Sequence, residues 1–171
     1  MKKFFLIAAL ALAAFVLVPA SVKGGDPVLL PNRLASAKVG EWVTYRIPDG
    51  FTQRHLVVER SGDGAKALIK IRVDSILDGD VVDTTEMVEI AGDDLVEMPD
   101  PEEKGVTVSL ARKDLIAVGK QVEGYTVEVF KNGELYQTWE VAPSLPVYGL
   151  LGRKTNDGGL TDFEIIDHSG K

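Results

Sequence analysis

Cysteine is missing altogether from the chain of 171 residues. That absence excludes disulfide scaffolds, thiolate zinc sites, iron–sulfur clusters and cysteine nucleophiles together. It also removes the cysteine that a lipid-anchored lipoprotein would need. Histidine is scarce, with two residues, His55 and His168. Common hydrolytic mechanisms set a nucleophile beside a base, most often histidine. Here His55 falls mid-strand, His168 sits near the end of the sequence, and no serine stands in a G-x-S-x-G elbow. Positive charge is short as well, since 19 Lys and Arg face 26 Asp and Glu. An acidic chain without a basic cluster is a poor partner for nucleic acid or anionic headgroups. Phosphate-binding glycine loops are absent, the glycines standing singly or in turn pairs. The chain therefore reads as non-enzymatic, with no catalytic residue, metal site or cofactor expected.

Long apolar runs are absent with one exception. Lys2 and Lys3 precede an apolar run of 15 residues, Phe4 to Val18, which ends on Val18-Pro19-Ala20. A spanning helix wants about 20 apolar residues. A short positive stretch, a shorter apolar run and small terminal residues are the pattern of a secretory signal peptide, with cleavage expected after Ala20. The expected organisation is a signal peptide over 1–20, an entry segment over 21–39 and one β domain over 40–171, in a periplasmic or secreted protein. Removing residues 1–20 takes away Lys2 and Lys3 and no acid, which moves the formal charge from −7 to −9. A neutral, cationic or apolar partner suits such a surface.

Past the entry segment, where Asn32 is placed to cap a helical turn over Arg33–Lys38, the pattern has period two. Glu41–Ile47 and Ala65–Val73 show the alternation, Gln53–Arg60 reads as the strand between them, and Pro48-Asp49-Gly50 and Ser61-Gly62-Asp63-Gly64 are the separating turns. Asp78-Gly79 leads into Val81–Ile90. Residues 91–105 are acidic and proline-broken and read as the longest loop. Val106–Leu110 and Asp114–Val122 resume strand character, with 111–113 undecided. Tyr125–Phe130 and Leu135–Val141 flank Asn132-Gly133, a pair suited to a type I′ hairpin turn. Val147–Arg153 and Leu160–Asp167 complete a series of nine or ten short strands. With no long helix, the reading is an all-β, mainly antiparallel fold: a curved sheet or open half-barrel, or a sandwich.

Two groups of residues invite a functional reading. The acids of 91–105 (Asp93, Asp94, Glu97, Asp100, Glu102, Glu103) offer oxygen ligands, but lack the register of a calcium loop or of paired catalytic carboxylates, and read as a solvated face. Aromatic residues are only 7% of the chain, yet most of them fall in expected strands. Strands favour aromatics, so sheet core explains them. The alternative is an apolar face that holds a hydrophobic ligand, with Trp42, Tyr45, Tyr125, Trp139 and Tyr148 as the candidate ligand-binding residues.

Several segments also carry a resemblance. Ala37-Lys38-Val39-Gly40-Glu41-Trp42-Val43-Thr44-Tyr45, Val118-Gly119-Lys120-Gln121-Val122, Thr138-Trp139-Glu140-Val141 with Pro143 to Leu150, and Phe163-Glu164-Ile165-Ile166-Asp167-His168 follow one another in an order. This order resembles secreted bacterial β-proteins without an assigned activity. More distantly, the chain is similar to the periplasmic lipoprotein-carrier (LolA-like) fold. The resemblance implies a curved antiparallel sheet around an apolar cavity, and a lipid-like ligand or envelope component as partner. It departs in one respect, because no amphipathic helix long enough to cover such a cavity is present. The alternative function is a structural or protein-interaction domain with no small-molecule ligand.

Overall fold

The computed structural model describes residues 28–98, 105–156 and 161–170. The expected signal peptide, the first part of the entry segment and the middle of the acidic stretch lie outside the described residues. The described residues form eleven strands: β1 (Val28–Pro31), β2 (Trp42–Arg46), β3 (Thr52–Ser61), β4 (Leu68–Leu77), β5 (Asp80–Ile90), β6 (Leu95–Met98), β7 (Val106–Ala117), β8 (Lys120–Lys131), β9 (Glu134–Val141), β10 (Leu150–Thr155) and β11 (Thr161–His168). Three single turns of 3-10 helix are the helical content among the described residues. The fold is all-β and antiparallel.

Nine strands form one open sheet in the order β5-β4-β3-β2-β11-β10-β9-β8-β7, and β1 pairs with β6 in a separate ribbon. Two meanders make up the large sheet, β2 to β5 and β7 to β11, and the pairing of β2 with β11 joins them. Strands β5 and β7, with β6 between them along the chain, thus lie at opposite edges.

Alternation in the sequence becomes the division between faces. In β4, Ile69, Ile71 and Val73 are buried while Lys70 and Arg72 are not, as period-two patterning requires of a sheet with one packed side. The main core combines both meanders, with Val43, Val57, Ile69 and Ile71 from one and Leu115, Ala117, Leu151 and Ile165 from the other. A second cluster sets Leu30 of β1 against Val108, Val127, Val129 and Val141. The loop from Ala142 to Gly149 turns into the main core. Ala142, Leu145 and Val147 are fully or almost fully buried, and the Ala142 amide donates to the Gly149 carbonyl at 2.7 Å to close the loop.

Four expectations need correction. The stretch 91–105 is not all loop: Leu95–Met98 pairs with Val28–Pro31 of the entry segment. Asp114–Val122 is not one strand, because a turn at Val118-Gly119 divides it between β7 and β8. Both turn residues have positive φ, 49° and 77°, and valine is a residue that sequence rules exclude from that position. Val147–Arg153 starts too early, since β10 begins at Leu150 and Tyr148 belongs to the preceding loop. The helical turn after Asn32 is shorter than expected, Leu34–Ser36, though Asn32 Oδ1 does accept from the Leu34 amide at 3.1 Å.

Candidate functional site

Antiparallel register puts directly opposed residues on one face. Trp139 of β9 opposes Arg153 of β10, and Arg153 opposes Phe163 of β11. The Arg153 guanidinium lies 5.2 Å from the Trp139 ring centre and 5.4 Å from that of Phe163, within cation–π range of both. Phe163 meets Tyr45 of β2 edge-on at 5.1 Å. Tyr45 meets His55 of β3 at 5.6 Å, and His55 meets Tyr148 at 5.6 Å, both nearly perpendicular. A row of aromatic and cationic side chains thus crosses five neighbouring strands, over the join between the meanders, and ends on the loop that fills the core.

Several polar atoms in the row have protein partners. The Tyr45 hydroxyl donates to the Leu150 carbonyl at 3.2 Å, and Tyr148 Oη lies 3.3 Å from His55 Nδ1. Burial pushes the Tyr45 hydroxyl far above its ordinary range, with Tyr148 adding to the effect. Burial does the same to Tyr148, helped by the charge of Glu89. Burial lowers the pKa of His55 and raises that of Glu89, since a low-dielectric setting disfavours whichever form is charged. Arg153 is held in place by Asp162, whose Oδ2 accepts from Arg153 Nε and from Thr155 Oγ1, each at 2.6 Å. Burial pushes the Asp162 carboxyl up, but these hydrogen bonds and the guanidinium charge outweigh it and hold the pKa below its ordinary value.

Two apolar pockets border the row. One, of about 200 Å³, is lined by Tyr45, Gln53, His55, Tyr148, Leu150 and Phe163, with Ile47. The other, of about 140 Å³, lies under the β1–β6 ribbon, between Leu30 and Val96 above and Val127, Trp139 and Val141 below. Tyr148 and Leu150 line both. Val147, next to Tyr148, has φ +61°. That is an unfavourable backbone for a β-branched residue, and it is part of the conformation that places Tyr148 between the two pockets.

Of the five candidate residues, Tyr45, Tyr148 and Trp139 meet at this site. Tyr125 packs in the second cluster beside Trp139 and lines neither pocket. Trp42 is on the other face of β2 from Val43 and Tyr45, directly opposed to Leu56, with the Arg54 guanidinium 4.8 Å above its ring. Sequence reasoning had left out Phe163, Arg153 and His55. Phe163 carries the expected alternation with Ile165, but Arg153 and His55 are polar residues on an apolar face, and only the register shows what they touch. Among the described residues, no group of three or more His, Asp or Glu side chains is placed to hold a metal ion.

No family model matches the chain, and no curated protein matches it. Among solved structures, it is similar to a "putative exported protein with YmcC-like fold" from Bacteroides fragilis. That likeness has 10% identity and a TM-score of 0.39, over 85% of this chain and the whole of the other. It is too distant to carry a function across.

Proposed function

We propose that the chain is an exported, non-enzymatic β-protein that binds an apolar group in the pocket beside Tyr45, His55, Tyr148 and Phe163. The observation that carries this reading is the pocket itself: about 200 Å³, walled by rings, with both tyrosine hydroxyls and His55 Nδ1 turned to protein partners. Export rests on the Lys2–Ala20 pattern.

Size limits the ligand. A dry cavity of about 150 Å³ takes one benzene molecule, and drug-sized ligands occupy about 300–1,000 Å³. The pocket suits one aromatic ring or a short alkyl segment, such as the end of a larger envelope molecule. The three acyl chains of a bacterial lipoprotein do not fit while Leu145 and Val147 fill the core. The reading is therefore narrower than the carrier function implied by the sequence resemblance.

Tryptophan fluorescence tests it. The chain has two tryptophans, and Trp42→Phe leaves Trp139 as the only one. Titration of this variant with short-chain alkyl alcohols and with cyclohexanol, followed by Trp139 emission, is expected to saturate. Native mass spectrometry of protein taken from a bacterial envelope is expected to show an excess mass that organic extraction removes. A bare mass together with a linear, unsaturable titration overturns the proposal.

A further inference from the structure

Among the described residues, β5 forms a free edge that is unlike the rest of the sheet. Ten of its 11 residues pair with β4 on one side, Val82 being bulged out of the register, and the strand ends the strand order on the other side. Every residue except Glu89 is exposed. Val81, Val82, Met87, Val88 and Ile90 are all among the exposed large apolar residues. Natural sheets blunt such edges with short strands, proline, bulges and charged side chains, lysine above all; here a bulge and four acids are present, and the acids are of one sign only. The segment DVVDTTEMVEI has no lysine, proline or glycine and is long. Val88 and Ile90 share a face with exposed Leu68 through the Ile90–Leu68 pairing, so the apolar strip extends onto β4.

The charges on this strand are of one sign. Asp80, Asp83, Glu86 and Glu89 recur every third residue, and no base accompanies them. Lys70 on β4 answers Glu86 at 2.7 Å. From these observations we infer that the β5 edge is a docking strand for an extended segment of another protein, one that alternates apolar residues with Lys or Arg. Main-chain hydrogen bonds to an open edge supply affinity in this mode of recognition, and alternate side chains supply specificity. The acids also argue against a second copy as occupant. Two β5 strands paired together would place eight carboxylates on one ribbon, where cross-strand like charges destabilise. The same acids attract a basic strand, and the negative charge of the whole chain steers it.

Hydrogen exchange on the purified protein tests the assignment. The probe is a synthetic peptide of about ten residues alternating valine with lysine, and the control has glutamate in place of lysine. The lysine peptide is expected to slow amide exchange across 80–90 by about tenfold or more at saturation, an effect that weakens as salt is raised. The glutamate peptide is expected to leave it unchanged. Val88→Lys, at an exposed position, is expected to weaken the protection while the melting temperature holds. Asp80→Lys combined with Asp83→Lys is expected to shift preference to the glutamate peptide. Absence of protection, equal protection by both peptides, or protection that rises with protein concentration alone overturns the inference; the last outcome would give the edge to a second copy.

Discussion

The Tyr148 hydroxyl lies 3.3 Å from Nδ1 of His55, so the loop between β9 and β10 is hydrogen-bonded to a strand of the other meander across an apolar pocket. Burial favours the neutral imidazole in the folded state, and its pKa falls below the ordinary 6.5. The unfolded chain therefore binds this proton first as pH drops. Stability is lost progressively below about pH 6.5 until the folded-state pKa is passed. Glu89 works the other way: its raised carboxyl pKa adds stability that is full below the ordinary 4.5 and fades as pH rises through the folded value.

His55→Gln isolates the histidine contribution. Urea midpoints at about pH 7.5 and about pH 5.5 are expected to differ less in this variant than in the parent chain. An equal difference in both would show that the His55–Tyr148 contact does not exclude the proton.

The fold was legible because burial follows period two. Ile69, Ile71 and Val73 alternate in sequence and face the core in the structure. The misses have specific causes. A valine at φ 49° conceals the β7–β8 turn, because residue preferences place asparagine, aspartate or glycine there. The pairing of Val28–Pro31 with Leu95–Met98 joins segments distant along the chain, and neither has more than four residues to show a period. Trp42 and Tyr45, three positions apart, belong to opposite faces by the same alternation that marked β2 as a strand. Grouping them as one site ignored that parity. Arg153 became visible as part of the site only once register set it between Trp139 and Phe163.

Val118 and Val147 have similar positive φ, 49° and 61°, in different surroundings. Val118 is half-buried at the turn, while Val147 is fully buried. Left-handed backbone in a non-glycine residue costs about 1–3 kcal/mol, and asparagine tolerates it best. Val118→Asn is expected to raise stability by about 0.5 kcal/mol, the relieved strain exceeding the partial burial lost. Val147→Asn is expected to lower it by about 2 kcal/mol or more, since it removes core burial and places an amide without partners there. Denaturant midpoints of the two variants, moving in opposite directions, check this. A parallel change would mean that the difference in burial does not distinguish the sites.

Gly124 is buried in β8, where a Cβ would collide with the Val141 carbonyl and come within 2.7 Å of Leu115 Cδ1. Backbone oxygen cannot swing aside as a flexible side chain can. Overpacking of this kind costs about 1–3 kcal/mol, so Gly124→Ala is expected to lower stability by at least the middle of that range. Faster amide exchange in β8 and β9 near Tyr125 and Val141 is expected as well. Gly119→Ala meets no atom within 4 Å, and its cost is expected to come from its φ of +77° alone, with exchange in β9 unaffected.

Arg153 connects Trp139 to the rest of the aromatic row, and Arg153→Lys asks whether its planar shape or its charge does so. Lysine keeps the charge, but loses the stacking surface and the fixed direction of Nε toward Asp162. Two cation–π contacts at a site about one-third exposed are worth about 0.5–1 kcal/mol each. A stability loss of about 1 kcal/mol is expected, together with a shift of Trp139 emission in the Trp42→Phe background. The Asp162 carboxyl is expected to titrate closer to its ordinary 3.8, observable by carboxyl NMR. Its depressed folded-state pKa contributes stability that is present above 3.8 and lost as pH falls through the folded value, so Arg153→Lys is expected to flatten the acid limb of the stability profile. If emission, carboxyl titration and acid limb all stay as in the parent chain, charge alone holds Trp139 and Phe163 in place, and the row is a packing arrangement rather than a guanidinium-centred one.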